Sequence, residues 1–274
     1  MPLPSSSTSV SRLFSNALRS TSRSIKQHAA AASAAAQWPI SDMAWRCSGS
    51  SNTELIENMF RSGLIKEPVV KQAFLKVDRA HYAPSMAYED SPQPIGHAAT
   101  ISAPHMHASA IENVLPYLLP HSSPPRRVLD VGSGSGYLTH VMAELVGEGG
   151  MVVGLEHIQE LRDLGERNAR KSKEGREMVE SGRMRFRVGD GRKGWLEDGR
   201  GEWDVIHVGA AAKTVHQALL DQLKAPGCMF IPVDDDGYGI DQSVWKIEKD
   251  EKGEVKRHKL FGVRYVPLTD PPKE

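Results

Sequence analysis

Between residues 127 and 233, short apolar runs alternate with segments whose apolar residues recur at helical spacing. The apolar runs predict strands at 127–131, 152–155, 184–188, 203–208 and 228–233. The segments between them predict helices from residue 137 to about residue 146, over 158–171 and over 214–223. Because strands that alternate with helices pair in parallel, this order predicts an α/β fold with a doubly wound sheet.

The regions on either side of this core follow other patterns. Before it, Thr53 and Glu54 indicate a capped helix start, and Pro68 fits the first turn of a second helix that reaches about Val77. A further helix is predicted over 107–117, whereas the prolines within 84–104 predict a loop. After the core, 243–248 and 259–266 predict strands at or near an edge of the sheet. The sequence therefore adds an N-terminal helical segment and C-terminal strands to the core.

The first 42 residues differ from the rest in composition. They carry four basic residues and no acidic residue before Asp42, and serine and alanine dominate them. One helical face would carry Val10, Leu13, Phe14, Ala17 and Leu18. One interpretation is a mitochondrial presequence, which is typically amphipathic and acid-free. The other is a disordered tail, or a segment upstream of the start codon used in the cell. Both interpretations predict an N-terminal extension over 1–42 and a folded domain over 43–274.

Composition narrows the class of protein without selecting a function. The 274 residues are 39% hydrophobic and 25% charged, which is ordinary globular usage, and the formal net charge is +0. Since no net charge attracts a polyanion, we expect neither nucleic acid nor a membrane as a partner. The only cysteines, Cys47 and Cys228, provide no disulfide framework and no metal-ligand spacing, so we expect free thiols and no metal.

A glycine-rich turn follows the first predicted strand of the core. The segment 130–136 begins with Asp130 and carries Gly132, Gly134 and Gly136, where ligands of open α/β sheets bind. The dinucleotide fingerprint Gly-x-Gly-x-x-Gly needs its last glycine at position 137, which is Tyr137. The spacing therefore disfavours a pyrophosphate ligand. It fits the amino-acid end of S-adenosylmethionine, which carries no phosphate.

Acidic residues follow the next two predicted strands. Glu156 ends the second strand, 20 residues beyond Gly136, where a carboxylate can accept hydrogen bonds from both hydroxyls of a ribose. Asp190 and Gly191 end the third strand, where an aspartate can accept a hydrogen bond from an adenine amino group. A single glycine turn is often only a tight connection. Three such features at the ends of successive strands are the pattern of Rossmann-like methyltransferases that depend on S-adenosylmethionine.

Several longer segments resemble one family of these enzymes. They are Met43-Ala44-Trp45-Arg46, Asp90-Ser91-Pro92-Gln93, Ala-Thr-Ile-Ser-Ala-Pro-His-Met-His at 99–107, the glycine turn at 130–136, His-Val-Gly-Ala-Ala-Ala at 207–212 and Tyr-Val-Pro-Leu-Thr-Asp at 265–270. Together they are similar to protein-L-isoaspartate O-methyltransferases over about 43–270, and 1–42 lies outside the resemblance. The segments at 100–106 and 208–212 are specific to this family among methyltransferases.

The resemblance implies a reaction. A methyl group would pass from S-adenosylmethionine to the free α-carboxylate of L-isoaspartyl, and also D-aspartyl, residues in damaged proteins and peptides, leaving S-adenosylhomocysteine. The substrate carboxylate is ionised near pH 7 and the sulfur leaves uncharged, so neither a general base nor a general acid is needed. What remains is in-line placement of the reacting atoms, which a hydroxyl that holds the carboxylate can provide.

The resemblance also implies residue roles. It places the catalytic serine at Ser102. It places the cofactor contacts at Ala99, Thr100, Ile101, Ser102, His107, Asp130, Gly132, Gly134, Ser135, Glu156, His157, Asp190, Gly191 and Thr269. Pro232 and Val233, with 208–211, match a segment that faces the substrate. The family further implies a cytoplasmic monomer whose partners are isoaspartyl-containing proteins and peptides.

The chain departs from the family pattern at a few positions. Three aspartates at 234–236 stand where the resemblance leads us to expect glycine, and they would repel acidic substrates if they pointed into the peptide groove. The alternative is a solvated loop. His97 replaces a more usual aromatic residue, Ala98 a glutamine and Glu156 an aspartate.

Two other classes of protein remain as alternatives. An adaptor could keep the fold and the cofactor pocket without turnover, although the intact Ser102 and the glycine turn count against it. A different methyltransferase or a dehydrogenase is the second alternative, and Tyr137 counts against the dehydrogenase.

Overall fold

The structure, a computed structural model, describes residues 47–120, 125–237, 239 and 241–270. The predicted extension over 1–42 and the segment 43–46 lie outside the described residues, so the division of the chain at residue 43 stays a prediction. None of the helices within the described ranges has both the length and the apolar composition needed to cross a membrane.

The N-terminal part of the described chain is a helical layer with one hairpin. Its helices are α1 (Asn52–Arg61), α2 (Pro68–Lys76) and α3 (Pro104–Leu118). A short 3₁₀ turn (Arg79–His81) follows α2, and a hairpin of β1 (Gln93–Gly96) and β2 (Ala99–Ile101) precedes α3. This layer therefore supplies both the predicted helical segment and the loop that enters α3.

A seven-stranded sheet forms the centre of the fold. Its strands are β3 (Arg127–Val131), β4 (Met151–Glu156), β5 (Met184–Val188), β6 (Trp203–Val208), β7 (Leu223–Asp234), β8 (Gln242–Lys249) and β9 (Val255–Val263). They are hydrogen-bonded in the order β5-β4-β3-β6-β7-β8-β9. The strands from β3 to β7 are parallel, and β8 and β9 add antiparallel pairs at one edge. The predicted doubly wound α/β fold with terminal strands at the edge is confirmed.

Four helices connect the parallel strands. They are α4 (Tyr137–Leu145), α5 (Gln159–Ala169), α6 (Lys173–Glu180) and α7 (Gln217–Gln222). Val128 and Leu129 are both fully buried, and they belong to hydrophobic clusters on opposite faces of the sheet. Neighbouring residues of β3 are therefore both apolar, as expected for a parallel strand that is covered on both faces.

Several predicted boundaries are wrong, for local reasons. The cap of α1 is Ser51 rather than Thr53, because the Ser51 hydroxyl accepts a hydrogen bond from the Glu54 N–H at 3.2 Å. Helix α3 begins at Pro104, three residues before the predicted start, since proline is tolerated in the first turn. Helix α7 covers only Gln217–Gln222 of the predicted 214–223, and β7 starts at Leu223.

The predicted loop at 84–104 and the predicted strand at 259–266 also need correction. The loop contains the β1–β2 hairpin, whose turn has φ values of 92, 52 and 55° at Gly96, His97 and Ala98. Tight hairpin turns are usually recognised in a sequence by an Asn-Gly pair, and this turn does not contain one. Strand β9 begins at Val255 because its backbone pairs with β8, although the exposed, mostly charged 255–259 shows no apolar alternation.

Candidate active site

The glycine turn between β3 and α4 lies where the parallel strands end. Gly132, Gly134 and Gly136 have φ values of 75, 49 and 83°, in the left-handed region that favours glycine. A Cβ atom on Gly136 would lie 2.9 Å from the carbonyl oxygen of Gly165 in α5. Both constraints require glycine there, so helix α5 can pack directly against the turn.

A cavity of about 380 Å³ lies beside the glycine turn. This volume is within the range of small-molecule sites. Leu155, Ile158 and Leu161 provide part of its apolar wall. The predicted cofactor residues that line it are Ala99, Thr100, Gly132, Gly134, Glu156, His157, Gly191 and Thr269. Residues from five separate parts of the chain, identified from sequence segments alone, are thus brought around one cavity.

Glu156 connects β4 to the glycine turn. It is 6% exposed, and its Oε2 accepts a hydrogen bond from the Gly134 N–H at 3.0 Å. Its Oε1 accepts from the N–H groups of His157 at 2.8 Å and Ile158 at 3.2 Å. Because a carboxylate has about four acceptor positions, Oε2 keeps capacity for one further donor. The carboxylate therefore holds the turn in place and still offers an acceptor to a ligand in the cavity.

A second, smaller cavity of about 40 Å³ adjoins the first and shares Thr100, Gly132 and Gly134 with it. The other predicted site residues that line it are Ile101, Ser102, His107, Asp130 and Ser135. Since the shared residues form a common wall, a group held at Ser102 would face a ligand on the glycine turn.

Asp190 is the predicted cofactor residue that lines neither cavity. Its carboxylate accepts hydrogen bonds from Arg192 Nε at 2.8 Å and Arg192 Nη2 at 2.9 Å. The side-chain bonds from Arg192 are the largest cause that lowers the pKa of Asp190. The predicted bond from Asp190 to an adenine amino group stays a prediction, because the carboxylate is turned toward Arg192 here.

A buried polar pair lies under the smaller cavity. Asp130 accepts a hydrogen bond from the Thr139 hydroxyl at 2.5 Å and pairs with His207 Nδ1 at 2.7 Å. The His207 ring is stacked on Phe230 with centroids 5.9 Å apart. His207 also lines the cavity, and the residue-by-residue prediction missed it. A polar side chain at the end of an apolar strand was the available sequence signal.

Ser102 lies between β2 and α3, where the chain enters the first turn of the helix. Its carbonyl oxygen accepts a hydrogen bond from Arg79 Nη2 at 2.8 Å. Burial raises the pKa of Tyr265 to about 12, and a hydrogen bond between the Tyr265 hydroxyl and the Ser102 side chain has a smaller effect that lowers it. Ser102 is therefore held through its backbone by one residue, while its hydroxyl faces another.

Residues 266–270 of the C-terminal segment 265–270 line the larger cavity. Tyr265 donates its N–H to Gln242 Oε1 at 2.7 Å, and Leu268 donates its N–H to the Ala211 carbonyl at 2.7 Å. His157 Nδ1 donates to the Thr269 carbonyl at 2.9 Å. These bonds join segment 265–270 to the start of β8 and to the loops that follow β6 and β4, so that Thr269 reaches the site.

The predicted substrate-facing segment at 232–233 runs beside the end of β6. Ala212 donates its N–H to the Pro232 carbonyl at 3.0 Å. Val233 lines a separate cavity of about 300 Å³ together with Asp234 and Asp235. Asp235 pairs with Lys259 Nζ at 2.9 Å, so this carboxylate of the acidic run has a counter-charge.

Comparisons with known proteins agree with this geometry. Residues 50–273 match the family model for protein-L-isoaspartate(D-aspartate) O-methyltransferase. A Caenorhabditis elegans protein-L-isoaspartate O-methyltransferase is 45% identical over 228 residues, which cover 83% of this chain and 96% of the relative. Protein-L-isoaspartate O-methyltransferase 2 of Arabidopsis thaliana is 46% identical over 224 residues, which cover 81% of this chain and 69% of the relative.

A solved structure shows the same likeness. A Plasmodium falciparum chain assigned to this family, in complex with S-adenosyl-L-homocysteine, has a TM-score of 0.72 and 32% identity. The likeness covers 81% of this chain and 99% of that one. The match over 50–273 and the identities above 40% identify the chain as a member of the protein-L-isoaspartate(D-aspartate) O-methyltransferase family.

Proposed function

We propose that this protein transfers a methyl group from S-adenosylmethionine to the free α-carboxylate of L-isoaspartyl, and also D-aspartyl, residues in damaged proteins and peptides. The observation that carries the proposal is the common wall of the two cavities. Thr100, Gly132 and Gly134 line both, so a carboxylate at Ser102 lies next to a ligand on the glycine turn. Family membership supplies the substrate class.

The larger cavity fits S-adenosylmethionine. The glycine turn lacks Cβ atoms where the amino-acid end would approach the backbone, and Glu156 keeps acceptor capacity for a ribose hydroxyl. Leu155, Ile158 and Leu161 offer apolar contacts to an adenine ring. When bound, the cofactor supplies a methyl group on a sulfonium sulfur, so that transfer to a carboxylate oxygen leaves a neutral ester and a neutral thioether.

The residues of this chain then provide placement rather than proton transfer. The Ser102 hydroxyl donates a hydrogen bond to one carboxylate oxygen and orients the other oxygen toward the methyl group. Carboxyl pKa values near 4 keep the substrate ionised at neutral pH, so no residue has to remove a proton. Orientation of this kind can contribute roughly 7–11 kcal/mol to lowering the barrier. Residues 266–270 form one wall of the larger cavity, and backbone hydrogen bonds to Ala211 hold them there.

The reaction is tested with two peptides of the same sequence, one with an L-isoaspartyl residue and one with L-aspartyl at that position. We expect radiolabelled methyl transfer to the isoaspartyl peptide and only background labelling of its twin, because the α-carboxylate is free only in the first. Equal labelling of both peptides would contradict the assignment. Cofactor binding without labelling of either peptide would favour the adaptor alternative.

For the compartment we propose the cytoplasm, as the family is ordinarily cytosolic. The competing mitochondrial interpretation rests on the acid-free composition of 1–42. We expect a fluorescent reporter fused behind residues 1–42 to give a diffuse cytosolic signal. The matched control carries Arg12, Arg19 and Arg23 as glutamine, since import requires the basic face. A mitochondrial signal that the control loses would overturn the proposal.

A further inference from the structure

Arg79 is a buried cation beside the reaction site. It is 0% exposed, and no described carboxylate lies within ion-pair distance of its guanidinium. Burying a charge without a counter-ion is costly, and proteins keep such arrangements mainly at functional sites. The mechanism above gives Arg79 no role, so its position calls for an explanation.

The N-terminal helical layer fixes the backbone of Arg79. The 3₁₀ turn that contains it is capped by Asp78, whose Oδ1 accepts the Ala80 N–H at 2.9 Å. Asn52 Oδ1 accepts the Arg79 N–H at 3.3 Å, and Asn52 Nδ2 donates to the Phe74 carbonyl at 3.1 Å. One buried asparagine therefore ties α1, α2 and the 3₁₀ turn together and determines where the guanidinium enters the core.

The guanidinium reaches two residues that line the smaller cavity. Its Nη2 donates to the Ser102 carbonyl at 2.8 Å, and its Nη1 donates to His107 Nδ1 at 3.4 Å. The group also lies over the Tyr137 ring, 5.2 Å from its centroid, and its Nε has no hydrogen-bond partner. Because arginine only donates, His107 Nδ1 has to accept. Burial, followed by the charge of Arg79, lowers the pKa of His107 well below 6.5, so the neutral ring carries its proton on Nε2.

The positive charge persists at neutral pH. Burial lowers the pKa of Arg79 to about 10, which still leaves the group protonated. Asp90 raises this pKa from a distance, but Asp90 Oδ1 is itself bonded to His105 Nδ1 at 2.8 Å. The charge next to Ser102 therefore has no carboxylate in direct contact among the described residues, and the nearby Asp90 acts on it only from beyond ion-pair distance.

We propose that Arg79 is a positioning residue that makes the site select its substrate as a carboxylate anion. This inference rests on the proposed function. Arg79 holds the Ser102 carbonyl, sets the His107 tautomer and supplies the positive charge that the incoming α-carboxylate balances. The ester product is neutral and loses this attraction. The same residue therefore favours substrate binding and product release.

The test measures binding, with the protein saturated with S-adenosylhomocysteine so that no sulfonium charge contributes. One peptide carries isoaspartate with its α-carboxylate, and its neutral twin carries an α-carboxamide at the same place. By calorimetry we expect the wild type to bind the carboxylate roughly 10 to 100 times more tightly, as for unit charges several ångströms apart at an effective dielectric near 20. Arg79→Gln should bring this ratio near one.

Two further variants separate charge from structure. Arg79→Lys should keep most of the ratio while lowering kcat, because an ammonium cannot bond Ser102 and His107 in the fork geometry of a guanidinium. The matched control is Arg183→Gln, an arginine just before β5 that lines neither cavity, donates to the Ala143 and Gly147 carbonyls and has no ion pair among the described residues. This control should leave the ratio unchanged.

The outcomes are distinguishable. If Arg79→Gln weakens the binding of both peptides equally, or keeps the wild-type ratio of their affinities, the inference is overturned and Arg79 has a purely structural role. If Arg79→Gln does not fold, the wild type and Arg79→Lys provide the test. The inference is overturned if the wild type binds the two peptides with nearly equal affinity, or if Arg79→Lys loses the preference for the carboxylate. Failure of the proposed function would look different, because the wild type would then neither bind nor methylate the isoaspartyl peptide.

Discussion

Replacing Ser102 with alanine is expected to lower kcat roughly 10- to 1000-fold, because the substrate carboxylate loses the hydroxyl that orients it. The backbone should stay in place, since Arg79 bonds the carbonyl of Ser102 and not its side chain. The affinity for S-adenosylmethionine should therefore change little. Steady-state kinetics with an isoaspartyl peptide, together with cofactor binding by calorimetry, measures both quantities.

The control for the Ser102→Ala experiment is Ser181→Ala. Ser181 is the C-cap residue that follows α6, and its hydroxyl donates to the Met178 carbonyl at 3.2 Å, on a helix that contributes no residue to either cavity. This variant should keep wild-type kcat. Wild-type turnover in Ser102→Ala would remove the proposed role, and a loss confined to cofactor binding would move Ser102 from the substrate to the cofactor.

Replacing Glu156 with alanine is expected to weaken S-adenosylmethionine binding by at least about tenfold. Each hydrogen bond to a charged group contributes roughly 1.5–3 kcal/mol, and the variant loses the acceptor proposed for the ribose. It also leaves the N–H groups of Gly134, His157 and Ile158 without their acceptor, so the glycine turn is held less firmly. The melting temperature should fall as well. Calorimetry and a thermal melt measure the two effects.

Two companion variants make the Glu156 result specific. Glu156→Gln keeps one oxygen acceptor and should lie between the wild type and the alanine variant. Glu160→Ala removes an exposed carboxylate from the first turn of α5 and should leave the affinity unchanged. Unchanged affinity in Glu156→Ala would place the ribose elsewhere. Equal losses in Glu156→Ala and Glu160→Ala would point to a general charge effect.

Features that depend on neighbouring residues could be predicted from the sequence. The strands β3 and β6 have their predicted bounds, because a parallel strand that is buried on both faces is a short, mostly apolar run. The edge strand β5 also has its predicted bounds, since apolar and basic residues alternate along it. The glycine turn and Glu156 could be located because ligands bind where such strands end. The Ser102 segment could be located because its residues are contiguous and specific to one family.

The remaining features depend on contacts between distant parts of the chain. The β1–β2 hairpin forms although His97 and Ala98 lack the usual turn signal, and the backbone of β1 pairs with that of β2 from Gln93 to Ile101. Strand β9 extends over charged residues because its backbone pairs with β8. Asp190 was placed at the correct strand end, but its side chain turns to Arg192, a preference that the strand pattern does not contain.

The sequence by itself therefore determined the α/β core, the cofactor turn and the family, since the signal for each lies in residues that are close together along the chain. Only the tertiary structure decided how Ser102 is surrounded. Arg79 and Tyr265 lie far from it in sequence, on elements whose own patterns are those of an ordinary 3₁₀ turn and an exposed C-terminal segment. Their positions follow from how the helical layer and the C-terminal segment pack at the carboxyl edge of the sheet. No local pattern of apolar and polar residues records that packing.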